Sequence, residues 1–318
     1  LEIVKRNIFV FLALLLFFSS STFSKNSSFV FQKYEYRNSN GRTIDFYLYH
    51  KSNSTNLKNK LVVYIQGSGG DSITSVFSKF DWKSFASRNG YDVLFIEKFA
   101  FNDNKLFPKT YCRESRIADI EAVVNYVIDT IYNENLNSIC LFSGSEGGAI
   151  SPELALKIKK VNSLIVFGAG GYAQSKEFEI LLQNEICKGK NGFWAQVGIN
   201  NLNTIRAKFE EINGDLSTEK LWLGCTYKYW NSFLWYSPEE YIVKLTIPTL
   251  FIIGDADDSV PVESVTHLIP MLKGRPNFEF HILPGLDHSF KDANGNVMLN
   301  ELIKKIVIPW LRKNNKIR

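Results

Sequence analysis

Cysteine and histidine are scarce, four of each in 318 residues, and nowhere do they fall as CxxC or as a Cys/His cluster with the ligand spacing of a zinc site. No apolar run reaches the roughly 20 residues that a helix needs to cross a bilayer, so no stable membrane span is expected. The glycines of Gly168-Ala169-Gly170-Gly171 do not fit the dinucleotide fingerprint, which removes the sequence case for a nicotinamide or flavin cofactor. A calcium loop built on Asp255, Asp257 and Asp258 would need six or more oxygens converging on one ion, and the cluster is not read as one. No cofactor and no metal are therefore implied.

A basic face with interleaved aromatics, the mark of nucleic-acid binding, is also missing. The net charge of +5 resides in the ends: Lys5 and Arg6 against Glu2 at the start, and Lys304, Lys305, Arg312, Lys313, Lys316 and Arg318 at the finish. Setting those aside leaves 29 bases against 31 acids, a near-neutral body with no nucleic-acid partner indicated.

What is present begins with Lys5-Arg6, the apolar run Ile8–Phe18 and the small-residue stretch Ser19–Ser24. A basic start, a short apolar core and small residues describe a secretory signal peptide over residues 1–24, cleaved after Ser21 or Ser24. Eleven apolar residues are too few to span, so export to the periplasm or the medium is expected ahead of an uncleaved anchor. Export permits disulfides. Cys140 lies inside an apolar run and reads as a buried thiol, whereas Cys187 and Cys225 share one region and are the expected bridge.

The body alternates strand and helix patterns. Phe29–Arg37 and Thr43–Tyr49 alternate apolar and polar residues around Asn38-Ser39-Asn40-Gly41, a hairpin signal. Leu61–Ile65 is a continuous apolar run, as in a central parallel strand. A helix over Phe80–Asn89 closed by Gly90, a strand over Tyr91–Glu97, an aromatic loop to Cys112 and a helix over Ser115–Tyr132 follow. Strands are expected again at Ser138–Phe142, Ser163–Phe167, Thr249–Ile253 and Phe278–Leu283. Helices are expected at Ala149–Ile158, Val262–Leu272 and Val297–Leu311. This is an α/β chain with a mostly parallel sheet and helices on both faces.

Between Tyr172 and Tyr241 the alternation stops. Helical runs at Ser175–Ile186 and Leu202–Ile212 remain, and four of the six tryptophans fall there. The organisation expected is a core of residues 25–171 and 242–318 with a helical cap, 172–241, inserted into it.

The chemistry centres on Ser143-Gly144-Ser145-Glu146-Gly147-Gly148, where an apolar strand meets a helix across a turn of small residues. In that context a central serine projects its hydroxyl above the sheet edge, at the positive end of the following helix. Three other segments end strands: Gln66-Gly67-Ser68-Gly69-Gly70, Gly254-Asp255-Ala256-Asp257-Asp258-Ser259-Val260-Pro261, and Gly285-Leu286-Asp287-His288-Ser289-Phe290. Sites in open α/β sheets lie at such carboxyl ends, and the order Ser, Asp, His is the one this elbow requires. Ser217-Thr218-Glu219-Lys220 matches S-x-x-K, but no K-T-G accompanies it and it is set aside. His50, His267 and His281 carry no motif and read as structural.

With these four segments the chain resembles the α/β-hydrolase superfamily, in particular the branch holding dienelactone hydrolases, small esterases and prolyl-oligopeptidase-like catalytic domains. The resemblance covers about residues 60–170 and 245–310 and leaves the cap unmatched. It implies Ser145 as nucleophile, Asp257 as acid and His288 as base, with the backbone amides of Ser68 and Glu146 as oxyanion hole. Two positions depart from the pattern: Gln66 stands for the usual histidine, and Ser143 for the first glycine of the elbow. The expected activity is hydrolysis of a small-molecule ester or thioester through an acyl-enzyme. The rivals are a peptidase or amidase of the same fold and a non-catalytic binding protein on the same scaffold. The aromatic cap suggests an apolar substrate group, with at least one of Trp222, Trp230 and Trp235 lining a pocket that opens on Ser145 and His288.

Overall fold

The computed structural model describes residues 29–39, 41–51, 57–189 and 192–314. The signal-peptide stretch and both expected cleavage points lie outside the described residues. Among those described, no helix is long and apolar enough to cross a membrane.

Eight strands form one sheet: β1 (Phe29–Arg37), β2 (Thr43–Lys51), β3 (Lys60–Ile65), β4 (Asp92–Ile96), β5 (Ser138–Gly144), β6 (Val161–Phe167), β9 (Thr249–Gly254) and β10 (Phe278–Leu283), with β7 and β8 a separate small ribbon described below. Their spatial order is β1-β2-β4-β3-β5-β6-β9-β10. The opening hairpin β1–β2 is antiparallel and pairs antiparallel with β4, while every pairing from β4 to β10 is parallel. Parallel strands need helical crossovers, and these cover both faces of the sheet. That is why β4 and β9 are fully buried and, after Asp92 and Thr249 at their starts, carry no polar side chain. On one face lie the helices Arg113–Tyr126 and Glu146–Lys157; on the other lie Trp82–Asn89 and the chain's last helix, Ile308–Asn314.

Element boundaries match those expected closely where the pattern is periodic. The helix Trp82–Asn89 starts on Asp81, whose Oδ1 accepts from Ser84 N at 3.0 Å, and ends on Gly90. The aromatic loop differs from expectation by holding a short helix, Leu106–Thr110. The helix after it runs Arg113–Tyr126 and widens into a π-type turn over Val127–Ile131.

The described residues of 172–241 contribute no strand to the main sheet. They carry the helices Gln174–Cys187, Leu202–Ile212 and Tyr227–Phe233, plus a two-stranded ribbon that the sequence does not announce, β7 (Leu221–Trp222) and β8 (Cys225–Thr226). Two residues a side are too few for an alternation to register.

One expectation about this segment is corrected. Cys187 and Cys225 are not bridged, and all four cysteines are free. Cys187 is exposed at the end of its helix, while the Cys225 thiol is sunk near Glu146, where burial and then that carboxylate push it up to about 12. The tryptophans serve the segment's own core. Trp222 and Trp230 are buried edge-on to each other with centroids 5.1 Å apart, both against Phe178, and Trp230 Nε1 donates to the Trp222 carbonyl at 2.5 Å. Trp235 is 44% exposed and meets Phe209. Aromatic rings each bury a large apolar area, and here they share the segment's core with Leu182, Ile205 and Ile212. These ring contacts pack Trp222 and Trp230 within the segment, and none of them reaches Ser145 or His288.

Candidate active site

Strand β5 delivers the chain to Ser145 in a conformation few residues adopt, φ 52° and ψ −127°. The surroundings hold it there. Ser145 N donates to Phe167 O at 2.9 Å, and the helix Glu146–Lys157 begins at the next residue. Gly147 must be glycine, because a Cβ there would collide with the carbonyl oxygens of Ile65 and Gln66 at the end of β3. Ser143 is accommodated for a chemical reason as well as its size. Its Oγ is 2.9 Å from Ile165 O on β6 and 2.9 Å from Ser151 Oγ. Ser151 in turn donates to Gly148 O at 3.0 Å, the carbonyl that Pro152, lacking an N–H, leaves without its helical partner.

The structure brings Ser145, His288 and Asp257 together. Ser145 Oγ lies 3.0 Å from His288 Nε2, and His288 Nδ1 lies 2.8 Å and 3.0 Å from the two Asp257 carboxylate oxygens. The Asp257 side chain is fully buried, and its Oδ1 accepts from Ser259 N at 2.9 Å and Val260 N at 2.8 Å. Ser145 and His288 are half-buried and reachable from solvent. Burial of the imidazole favours its neutral form, but the hydrogen bond and charge of Asp257 outweigh that and raise the His288 pKa above its ordinary value.

The neighbouring acids have other partners. Asp255 Oδ1 accepts from Gly285 N at 2.6 Å, which ties the Asp loop to the His loop, and Asp258 Oδ1 accepts from Ser259 Oγ at 3.2 Å. The remaining histidines lie on structural bonds: His50 with Gln32, His267 with Glu239, and His281 with Glu279. Ser217 Oγ accepts from Lys220 N at 3.0 Å, a local turn bond.

The loop Gln66–Gly70 runs directly past the elbow, since a Cβ on Gly67 would stand 3.0 Å from Ser145 Cβ. Gly67 is therefore beside Ser145 with Ser68 next in the chain, and Glu146 is the first residue of its helix, where an N–H has no intrahelical acceptor. Gln66 is buried in the place of the family histidine and uses Nε2 to donate to Asp71 O at 3.2 Å.

Several buried groups here carry no signal readable in the sequence. Gly168 (φ 54°) floors the histidine: a Cβ on it would stand 3.2 Å from His288 Cε1. Glu177, in the first turn of the helix Gln174–Cys187, accepts from Ser264 Oγ at 2.6 Å, and its burial pushes its pKa up to about 8. The Glu146 carboxylate is buried under Tyr111, Arg116 and Tyr229. Lys98 Nζ donates to Gly69 O at 2.6 Å, and burial, then the charge of Arg116, lowers its pKa to about 7.

With this geometry in view, comparison with known proteins is informative. The BD-FAE family model matches residues 44–272, most of the chain. An Azospirillum brasilense protein whose name assigns it provisionally as a carboxymethylenebutenolidase is 39% identical over 52 residues, 16% of this chain and 22% of that protein. The chain thus matches about a fifth of that relative's length. Among solved structures, a Pyrococcus furiosus esterase, Pf2001, superposes with TM-score 0.54 at 17% identity, covering 93% of this chain and 95% of that one. The Thermogutta terrifontis esterase Est2 gives 0.58 at 15% identity over 90% and 92%. A Pyrococcus horikoshii acylaminoacyl peptidase gives 0.58 at 13% identity, over 92% of this chain and 43% of that one. At these identities the likeness is one of fold.

Proposed function

Because this chain belongs to the BD-FAE family and has the α/β-hydrolase fold, we propose that it is a serine hydrolase that cleaves a carboxylic ester or thioester through an acyl-enzyme on Ser145. The observation that carries the reading is the unbroken line Ser145 Oγ to His288 Nε2 at 3.0 Å and His288 Nδ1 to the buried Asp257 at 2.8 Å. The relative named provisionally as a carboxymethylenebutenolidase supports the ester side of it.

The chemistry follows from that line. Asp257 accepts the Nδ1 proton, so Nε2 keeps its lone pair and faces the Ser145 hydroxyl. As Ser145 Oγ attacks the substrate carbonyl, its proton passes to Nε2, and the negative charge that forms on the carbonyl oxygen is met by the Ser68 and Glu146 amides. Each such donor contributes about 3–4 kcal/mol to the transition state. The imidazolium then gives its proton to the departing alkoxide or thiolate, leaving an acyl group on Ser145. Water repeats the sequence with His288 as base and frees the acid.

A fluorophosphonate tests this directly. Incubation followed by peptide mass spectrometry should find the adduct on Ser145, and a panel of p-nitrophenyl esters should be turned over. Label on another residue, or none with the ester panel inert, would favour the non-catalytic binding protein.

The raised His288 pKa makes a second expectation. Activity needs the neutral imidazole, so kcat/KM should rise with pH through the His288 pKa, with the midpoint above the ordinary value of about 6.5. A midpoint clearly below that value would mean that Asp257 does not support His288 in solution.

A further inference from the structure

The residue after the serine has a second feature that the proposed mechanism leaves unused. The side chain of Glu146 turns into the protein and is only 5% exposed. An isolated carboxylate there would be costly, and here two phenol hydroxyls and a guanidinium face it. Tyr111 O–H and Tyr229 O–H both donate to it, the latter at 2.8 Å, and Arg116 Nε pairs with it at 3.3 Å. Burial, with Glu146 next, raises the pKa of both tyrosines well above the ordinary phenol value, so both hydroxyls remain protonated donors.

These partners reach the other half of the proposed oxyanion hole. The far end of the Arg116 guanidinium donates to the Gln66 carbonyl, and Lys98 Nζ donates to the Gly69 carbonyl at 2.6 Å. The short segment that carries the Ser68 amide is thus held at both ends by buried donors, one of them, Arg116, paired with Glu146. The tyrosines connect the same carboxylate to two loops. Tyr229 belongs to the inserted segment and stacks on Tyr111 at 5.5 Å, Tyr111 stacks on Phe107 at 4.5 Å, and the Phe107 ring lies against Gly70.

We propose that the Glu146 carboxylate is a positioning residue: it sets the Ser68 and Glu146 amides in register and, through Tyr229, makes that register depend on the inserted segment. This rests on the serine-hydrolase reading above. Its consequence is that the insertion contributes to catalysis through a hydrogen bond beneath the site. A displacement of the donors by a fraction of an ångström weakens transition-state binding while leaving ground-state binding almost unchanged.

The test removes single oxygen atoms. Tyr229→Phe and Tyr111→Phe should each lower kcat on a short-chain p-nitrophenyl ester roughly ten-fold, with KM within about two-fold. Affinity for a trifluoromethyl ketone, which forms a tetrahedral adduct with the serine, should fall by the same factor as kcat. The double variant should lose less than the product of the two, because both act through one carboxylate. Glu146→Gln keeps an acceptor oxygen and the side-chain shape, and should be milder than Glu146→Ala. If both phenylalanine variants keep wild-type kcat and ketone affinity and change only the melting temperature, the network is merely structural and the proposal is overturned. Should one variant fail to fold, the other carries the same readout. Failure of the underlying reading looks different: wild-type rates in Ser145→Ala would remove the nucleophile itself, and this inference with it.

Discussion

Ser145→Ala should abolish ester hydrolysis and fluorophosphonate labelling while leaving the melting temperature near that of the wild type. The loss expected is on the order of 10⁶-fold in kcat, as where serine and histidine act as a unit. The fold should survive because the elbow is held by its neighbours. Ser145 N bonded to Phe167 O and the close approach of Gly147 to β3 owe nothing to the hydroxyl. His288→Ala should fall almost as far, and the double variant no further, since removing either member removes the same proton transfer. Steady-state rates on a p-nitrophenyl ester, with circular dichroism as the control for folding, decide it. Retention of even a tenth of the activity in Ser145→Ala would exclude the acyl-enzyme at this residue.

Asp257→Asn should lower kcat by roughly 10⁴-fold, through the tautomer of the histidine more than through lost charge. The Asp257 Oδ1 already accepts two backbone N–H groups, from Ser259 and Val260. An asparagine oxygen would take that place, which puts the amide NH2 opposite His288 Nδ1. The imidazole must then accept there and carry its proton on Nε2, where it can no longer receive one from Ser145. Asp255→Asn should cost no more than a few-fold by the same argument, because its single acceptor role toward Gly285 N can be kept by an amide oxygen. Comparable losses in the two variants would show that the acid is not assigned by its bond to His288.

Much of this architecture is legible in the chain itself. A parallel strand buried on both faces reads as a near-continuous apolar run, so Leu61–Ile65 and Thr249–Ile253 announce themselves, and β10 falls on Phe278–Leu283 as expected. The helix Leu202–Ile212 is equally plain, because its buried Ile205, Phe209 and Ile212 recur with helical spacing. The positions of Ser145, Asp257 and His288 are readable for a related reason. Each follows a recognisable strand, and the carboxyl ends of parallel strands meet at one edge of the sheet.

The inserted segment is opaque by the same logic. Its aromatics show composition without direction, and whether Trp222 faces a substrate or Trp230 depends on contacts between helices that no local period records. Cys187 and Cys225 share a segment, yet one side chain faces solvent and the other lies beneath it.

By itself, then, the sequence determined the α/β architecture, the elbow and the chain positions of its serine, acid and base, because local sterics and strand burial constrain residue type directly. Tertiary structure alone decided where the tryptophans turn, and that Tyr111, Arg116 and Tyr229 converge on Glu146. A buried carboxylate must find its donors wherever the fold brings them, and donors gathered from a loop, a crossover helix and an insertion leave no spacing in the chain to read.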